Sequence, residues 1–186
     1  MKCNHDSGSV VICKDKKYFD WEKEKVKLDK SLHTDYWKNN VELQYRKVKK
    51  GIVCEKYLED ESGGLVDYKF HCFNGIPRLV YCTNPHEEGE KLEMNFFDMN
   101  FCKVEIHRKG TKDMPKLPSK PEQFDKMVEI ASKLSKPYPF VRVDLFLCKG
   151  KIYLGELTFI PTAGMGKFEE AEVDLMLGGW IKLDRE

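Results

Sequence analysis

Apolar residues recur along the chain with two periods, one of about 3.6 residues and one of 2. The helical period is clearest in "EQFDKMVEIASKLS" (122–135), where Phe124, Met127, Val128, Ala131 and Leu134 share a face. "FDWEKEKVKLDKSL" (19–32) predicts a second helix, with Asp20 as its cap, Trp21, Val26 and Leu28 along one side and Glu–Lys pairs on the other. "GKFEEAEVDLMLGGWIKL" (166–183) predicts a final helix, whole or broken. Strands are expected at "SVVICKD" (9–15), "GIVCEKYL" (51–58) and "LEMNFFDMNF" (92–101). "LVDYKFHCFNGIPRLVYC" (65–82) predicts a hairpin turning at Asn74-Gly75, and "EDESGG" (59–64) a turn. Residues 33–50 predict a loop with a short helix, and "GTKDMPKLPSKP" (110–121) a proline-broken loop. Helices set between antiparallel hairpins make an α+β fold.

One stretch breaks its own pattern. "PFVRVDLFLCKGKIYLGELTFIPTAG" (139–164) predicts two strands around Lys149-Gly150, yet Arg142, Asp144 and Glu156 interrupt otherwise apolar runs. Side chains two apart on a strand share a face, so Arg142 goes with Asp144 and Glu156 with Thr158. A two-residue loop would pair 148 with 151 and put 144 and 156 on opposite faces. A three-residue loop, Cys148-Lys149-Gly150 with glycine left-handed, would pair 147 with 151. That register gathers 142, 144, 156 and 158 on one face, with Arg142 opposite Glu156, and it is the register predicted. Two facing carboxylates repel unless a cation lies between them. Arg142 could supply it as a structural ion pair; a hard divalent cation such as Mg²⁺ could do the same.

Composition narrows the classes. The chain has 186 residues, enough for one domain or two small lobes, and 41% hydrophobic residues, enough for a core. With 32 basic and 31 acidic residues the net charge is +1, which makes no electrostatic case for nucleic acid. No apolar run approaches the roughly 20 residues of a membrane span, and the N-terminus lacks an apolar signal segment. The seven cysteines are scattered without a C-x-x-C pair and read as reduced core thiols of a cytoplasmic protein rather than a metal–thiolate site. His5, His33, His71, His86 and His107 show no metal-like pairing and read as surface or strand residues, with His5 alone near a candidate phosphate loop. The aromatic run "MNFFDMNF" reads as core.

Three further segments matter in order. "KCNHDSGSVV" (2–11) sets a lysine before a small polar loop that can turn N–H groups toward phosphate. "IVCEKYLED" (52–60) runs an apolar strand into Glu55-Lys56-Tyr57-Leu58, and "DYKF" puts Asp67 and Lys69 on one strand face. A lysine strand with a Ser/Gly loop, an E-K-x-L hinge, a D-x-K strand, an R-x-D strand and a Glu strand followed by a Pro/Gly loop resemble the ATP-grasp superfamily. The wording "KYFDWEKEKVKLDKSL", "EKYLEDESGGLVDYKFHCFNG", "FVRVD" and "GELTFIPTAGMGKF" resembles its TupA-like branch, found with teichuronopeptide and surface-polysaccharide biosynthesis. The resemblance covers nearly the whole chain. It implies antiparallel sheets with packed helices forming two lobes around a nucleotide cleft. Residues 1–55 would be a partial nucleotide-binding lobe with the phosphate loop, and 56–186 a C-terminal lobe with the metal site.

The resemblance also implies roles. Lys2 matches the lysine that touches ATP phosphate; Ser7, Gly8 and Ser9 match the phosphate-covering loop. Glu55 matches the start of the adenine hinge, with Leu58 near the base. Lys69 matches a basic residue aimed at the phosphates, and Arg142 the arginine beside the transferred phosphoryl group. Asp144 and Glu156 match the Mg²⁺ carboxylates. The third ligand, commonly Asn two residues after the glutamate, is Thr158 here, a weaker neutral oxygen. The chain also resembles only the C-terminal two-thirds of such enzymes, so a frayed or unpaired lysine strand is expected. The implied chemistry is ligation of an amine to a carboxylate through an acyl phosphate. A nucleotide-binding module without catalysis, or a structural protein whose hairpin carboxylates form a salt bridge, are the alternatives.

Overall fold

The computed structural model describes residues 1–59, 65–83 and 90–183, and the chain divides into two units, Met1–Leu58 and Glu59–Glu186. The turn expected over "EDESGG" runs into residues outside the described set, and His86 lies outside it too.

In the first unit a short antiparallel pair joins β1 (Lys2–Cys3) to β2 (Ile52–Val53), with Lys2 opposite Val53. The lysine strand is therefore paired rather than frayed, and Met1 and Val11 extend it through two backbone hydrogen bonds of 2.8 Å. The strands expected at 9–15 and 51–58 shrink accordingly: 9–15 is irregular, and 51–58 keeps only the two residues that a two-residue partner can pair. Helix α1 (Trp21–His33) begins where Asp20 accepts the Lys23 N–H at 3.1 Å. Of its expected apolar side only Leu28 is buried, with Cys3 and Val11; Trp21 and Val26 are exposed. Helix α2 (Tyr36–Asn39) is the short helix expected within 33–50.

The second unit is a six-stranded antiparallel sheet backed by a helix. The strands are β3 (Asp67–Phe73), β4 (Ile76–Thr83), β5 (Met94–Phe97), β6 (Lys103–Val104), β7 (Phe140–Cys148) and β8 (Lys151–Thr158), in the spatial order β6-β5-β4-β3-β7-β8. Asn74 and Gly75, both at positive φ, make the β3–β4 turn as expected. One face of the sheet carries Tyr68, Phe70, Val80, Val141, Val143 and Leu145 against α3 (Phe124–Ser135), whose Phe124, Met127 and Ala131 are fully buried. This is the helical period of 122–135 realised, and truncating Phe124 there would cost about 3–5 kcal/mol. The helix ends at Ser135, with Lys136 still helical in backbone and Pro137 next, which has no N–H to continue the hydrogen-bond ladder. On the opposite face Leu79, Tyr81, Met94 and Phe96 pack with Phe168 and Leu177, the latter from α4 (Ala171–Gly179). "MNFFDMNF" thus supplies core to both faces. Among the described residues no helix is long and apolar enough to cross a membrane.

Candidate functional site

The hairpin of β7 and β8 closes with a two-residue turn, not the three-residue loop expected: Cys148 pairs with Lys151, and Lys149 and Gly150 both have positive φ. That turn alone would send residues 144 and 156 to opposite faces. A bulge corrects it. The register shifts between Asp144 and Leu145, whose partners are Glu156 and Leu154, so Gly155 is the extra residue. A Cβ at Gly155 would lie 2.7 Å from the Phe146 ring and 3.3 Å from the Asp144 carbonyl oxygen, which is why glycine occupies the bulge. Beyond it Asp144 faces Glu156, and Arg142 faces Thr158 rather than Glu156.

Pairing across β3 completes a charged row. Lys69 lies opposite Asp144 on one side and Tyr81 on the other, and His71 lies opposite Arg142. Asp144 is 1% exposed and carries three short contacts: Lys69 Nζ donates to Oδ2 at 2.6 Å, and Arg142 grips both oxygens at 2.7 Å through Nε and Nη2. Arg142 Nη2 also donates to Glu156 Oε1 at 2.8 Å, which accepts the Thr158 hydroxyl at 2.6 Å. Lys69 bonds Asp67 as well, and Asp67 Oδ1 is buried with no partner among the described residues. Glu156, at 56% side-chain exposure, is the open end of the row.

The charges respond to this crowding. Burial raises the Asp67 pKa, Asp144 adds to the rise, and Lys69 opposes it. Burial works against the Lys69 ammonium, yet Asp144 and Asp67 outweigh it and hold its pKa above the ordinary value. Arg142 is likewise desolvated, and its bonds to Asp144 keep it firmly charged. His71 is pushed down to about 3 by burial and by Arg142, so its ring is neutral.

In the first unit the loop after β1 folds on itself. Ser9 is buried, its hydroxyl accepting the Cys3 N–H at 2.9 Å and donating to Asp6 at 2.6 Å. Ser7 and Gly8 are exposed, Gly8 with a φ of 97°. His5, expected at the surface or in a strand, lies instead in the loop after β1, buried against the Ser31 carbonyl. Lys2 Nζ meets Glu55 at 3.0 Å, and Leu58, half-buried, closes the unit in irregular backbone. The expected residues therefore form two sets, one in each unit.

The TupA-like ATPgrasp family profile matches residues 1–182. The chain belongs to the TupA-like ATP-grasp family. No match appears among curated proteins or among solved structures. Mixed helices and antiparallel sheet agree with that membership.

For a TupA-like ATP-grasp protein the test of the row is whether it suits a hard cation. Both oxygens of Asp144 are already bonded by cationic donors, whereas Oε2 of Glu156 has no hydrogen bond among the described residues. No group of three His, Cys, Asp or Glu side chains among the described residues is arranged to hold a metal by itself. Two carboxylates and a hydroxyl suit a magnesium ion that arrives with phosphate oxygens and waters of its own. Three neighbours of the row were missing from the expected set: Asp67, Tyr81 and His71. Asp67 shares a strand face with Lys69 in "DYKF", a signal visible in the sequence; the other two enter only through β3–β4 pairing and the alternation of β3.

Proposed function

We propose that this protein is an ATP- and Mg²⁺-dependent carboxylate–amine ligase. One observation carries the reading: in a TupA-like ATP-grasp chain, the Gly155 bulge sets Glu156 and Thr158 on the face that already holds Lys69, Arg142 and Asp144. Glu156 and Thr158 would hold the magnesium ion, and Asp144 would join them on giving up a contact to Lys69 or Arg142. Lys69 and Arg142 would then be free to neutralise phosphate, Arg142 with a planar fork suited to a phosphoryl group in transfer. Lys2 and the exposed backbone of Ser7 and Gly8 would contact phosphate, with Ser9 bracing the loop from inside. Glu55 and Leu58 would mark the adenine hinge. Mg–ATP would supply the phosphoryl group that turns a carboxylate into an acyl phosphate, leaving ADP; an amine would then attack the acyl carbon and release inorganic phosphate, which leaves an amide. Resemblance to the teichuronopeptide and surface-polysaccharide branch supports a glycan or peptide precursor as substrate, in the cytoplasm where ATP is abundant.

A second reading has support from the bidentate Arg142–Asp144 contact, which suits a scaffold ion pair in a protein that binds nucleotide without turnover. Calorimetry with ATP, with and without Mg²⁺, and phosphate release with added carboxylates and amines separate the two. Mg²⁺-dependent ATP binding with phosphate release only when both acceptors are present is the expected result. ATP binding without phosphate release, whatever the acceptors, would favour the second reading; magnesium-independent binding would refute the first, and absent ATP binding would refute both.

A further inference from the structure

Beside the charged row, on the same face of the second unit, lies a cavity of about 310 Å³. Its floor is aromatic. His71 packs edge-on to Tyr81 at 5.4 Å and Phe140 at 5.7 Å, and Phe96 packs against Phe168 at 6.0 Å. Such a floor offers ring and aliphatic contact but few hydrogen bonds. Two polar groups stand out against it. Nδ1 of His71, in a residue that is 8% exposed, is buried without a partner among the described residues, although His71 lines the cavity. Nδ1 is itself covered, so the neutral His71 ring meets the cavity as part of its aromatic floor and not as a hydrogen-bonding group.

The other group is Arg108. Its guanidinium donates to the Thr162 hydroxyl and makes no ion pair among the described residues. Gly166 gives it room, since a Cβ there would sit 3.3 Å from Nη2. Thr162 itself is held at a φ of 54°, and Ala163 and Gly164 follow at 53° and 71°. A β-branched residue in the left-handed region is strained, and such strain collects where a loop must hold a fixed shape. The loop 161–164 and Arg108 thus form a rigid cationic rim over an apolar floor. Asp174 also lines the cavity, but it is exposed, so its repulsion of an anion is screened by water.

We infer that this cavity binds a carboxylic acid with an apolar or aromatic body, its carboxylate on Arg108 and its body against the His71–Phe96 floor. The inference rests on the ligase reading only in making that acid the carboxylate substrate; β3 and β7, which carry His71 opposite Arg142, link the cavity to the charged row. An apolar body fits a peptide-like acid better than a polyhydroxylated sugar, whose hydroxyls would go unpaired on this floor.

The test is direct binding without nucleotide. Calorimetry would use phenylacetate as probe, with phenylacetamide as its uncharged twin, acetate as the carboxylate without a body, and glucuronate as a hydroxylated ring acid. Phenylacetate should bind and the other three should bind at least 10-fold more weakly, with the His71 ring nitrogens shifting in NMR as phenylacetate is added. Arg108→Gln should cancel the preference for phenylacetate over phenylacetamide. Gly178→Leu should weaken binding at least 10-fold by narrowing the cavity mouth: exposed Gly178 lines it, and an added Cβ would meet nothing within 4 Å among the described residues. Both variants should bind Mg–ATP as the wild type does. Phenylacetate that fails to bind, binds both variants unchanged, or is outbound by glucuronate would overturn the inference. Loss of Mg–ATP binding in the wild type, with phenylacetate still bound, would instead refute the ligase reading and leave the acid site standing.

Discussion

Asp144→Asn is the most informative single change in this protein. The substitution keeps shape and removes one negative charge from a carboxylate that is 1% exposed. Asp144 accepts from Lys69 at 2.6 Å and from Arg142 twice at 2.7 Å. An asparagine oxygen can keep one of these partners, but its NH₂ group then points at the other cation, donor against donor. Lys69 and Arg142 are themselves largely buried, at 16% and 11% side-chain exposure, so water cannot easily replace the lost carboxylate. Removing one partner of a buried ionic group of this kind costs about 3–5 kcal/mol. With a urea dependence of about 2 kcal/mol per molar, the unfolding midpoint of the second unit should fall by about 1.5–2.5 M. Amide hydrogen exchange of β3 and β7 followed against urea reports that unit alone. A midpoint within about 0.3 M of wild type, or above it, would refute the reasoning and would mean that Asp144 is kept for a ligand at the expense of the fold.

Glu156→Gln, at the exposed end of the row, should change stability by less than about 1 kcal/mol, yet remove the Mg²⁺-dependent part of ATP affinity; equal affinity with and without Mg²⁺ in both proteins, read by calorimetry, would count against it. Arg142→Lys should keep ATP affinity within a few-fold and lower turnover by roughly 10²-fold, the scale of one lost aimed electrostatic group, while also lowering the melting temperature because a lysine cannot grip both oxygens of Asp144; unchanged turnover per folded molecule would leave Arg142 a purely structural role. His107 and Glu170 bond at 2.6 Å, with Glu105, Asp113 and Lys103 close by; Glu170 raises the His107 pKa, and His107 lowers that of Glu170. The pair's stability is therefore lost as pH rises through the raised His107 value and as it falls through the lowered Glu170 value, so protection factors of residues 168–173 should be highest between about pH 5 and 6.5 and fall on either side, and His107→Gln should erase the alkaline limb; a wild-type profile that stays flat from about pH 3 to about pH 9 would contradict it. His71, buried and neutral, should not titrate in NMR between pH 5 and 8, unlike His107.

The elements with strong local signals were legible in the chain. Asn74-Gly75 can take two positive φ values in succession, and the i, i+3, i+7 spacing of Phe124, Met127 and Ala131 needs only one flat partner. The charged cluster of Arg142, Asp144, Glu156 and Thr158 was legible as a set of residue types, but its register was not. Parity along a hairpin depends on both the turn and any bulge, and a glycine in a strand does not announce which it serves. Lys149, a poor candidate for positive φ, nonetheless adopts it, because Gly150 and the flanking ladder favour a tight turn. The first unit was the least legible. Val10, Val11 and Ile12 look like a strand, but only Val11 finds a buried place, and the pattern cannot say that its neighbours lack partners to pack against.

The bulge at Gly155 has a consequence for insertions and deletions. Two residues in the turn and one in the bulge sum to the same parity as three residues in the turn and none in the bulge. Deleting Gly155 alone would rotate Glu156, Thr158 and the loop that follows to the wrong side of the sheet. Deleting it while adding one residue at the Lys149-Gly150 tip would restore them. In a lineage of such chains, tip length and strand glycine should thus change together, as compensating single-residue steps separated by the four ordinary strand residues 151–154, and an alignment that gaps one without the other would misplace the Glu156 carboxylate by a full face.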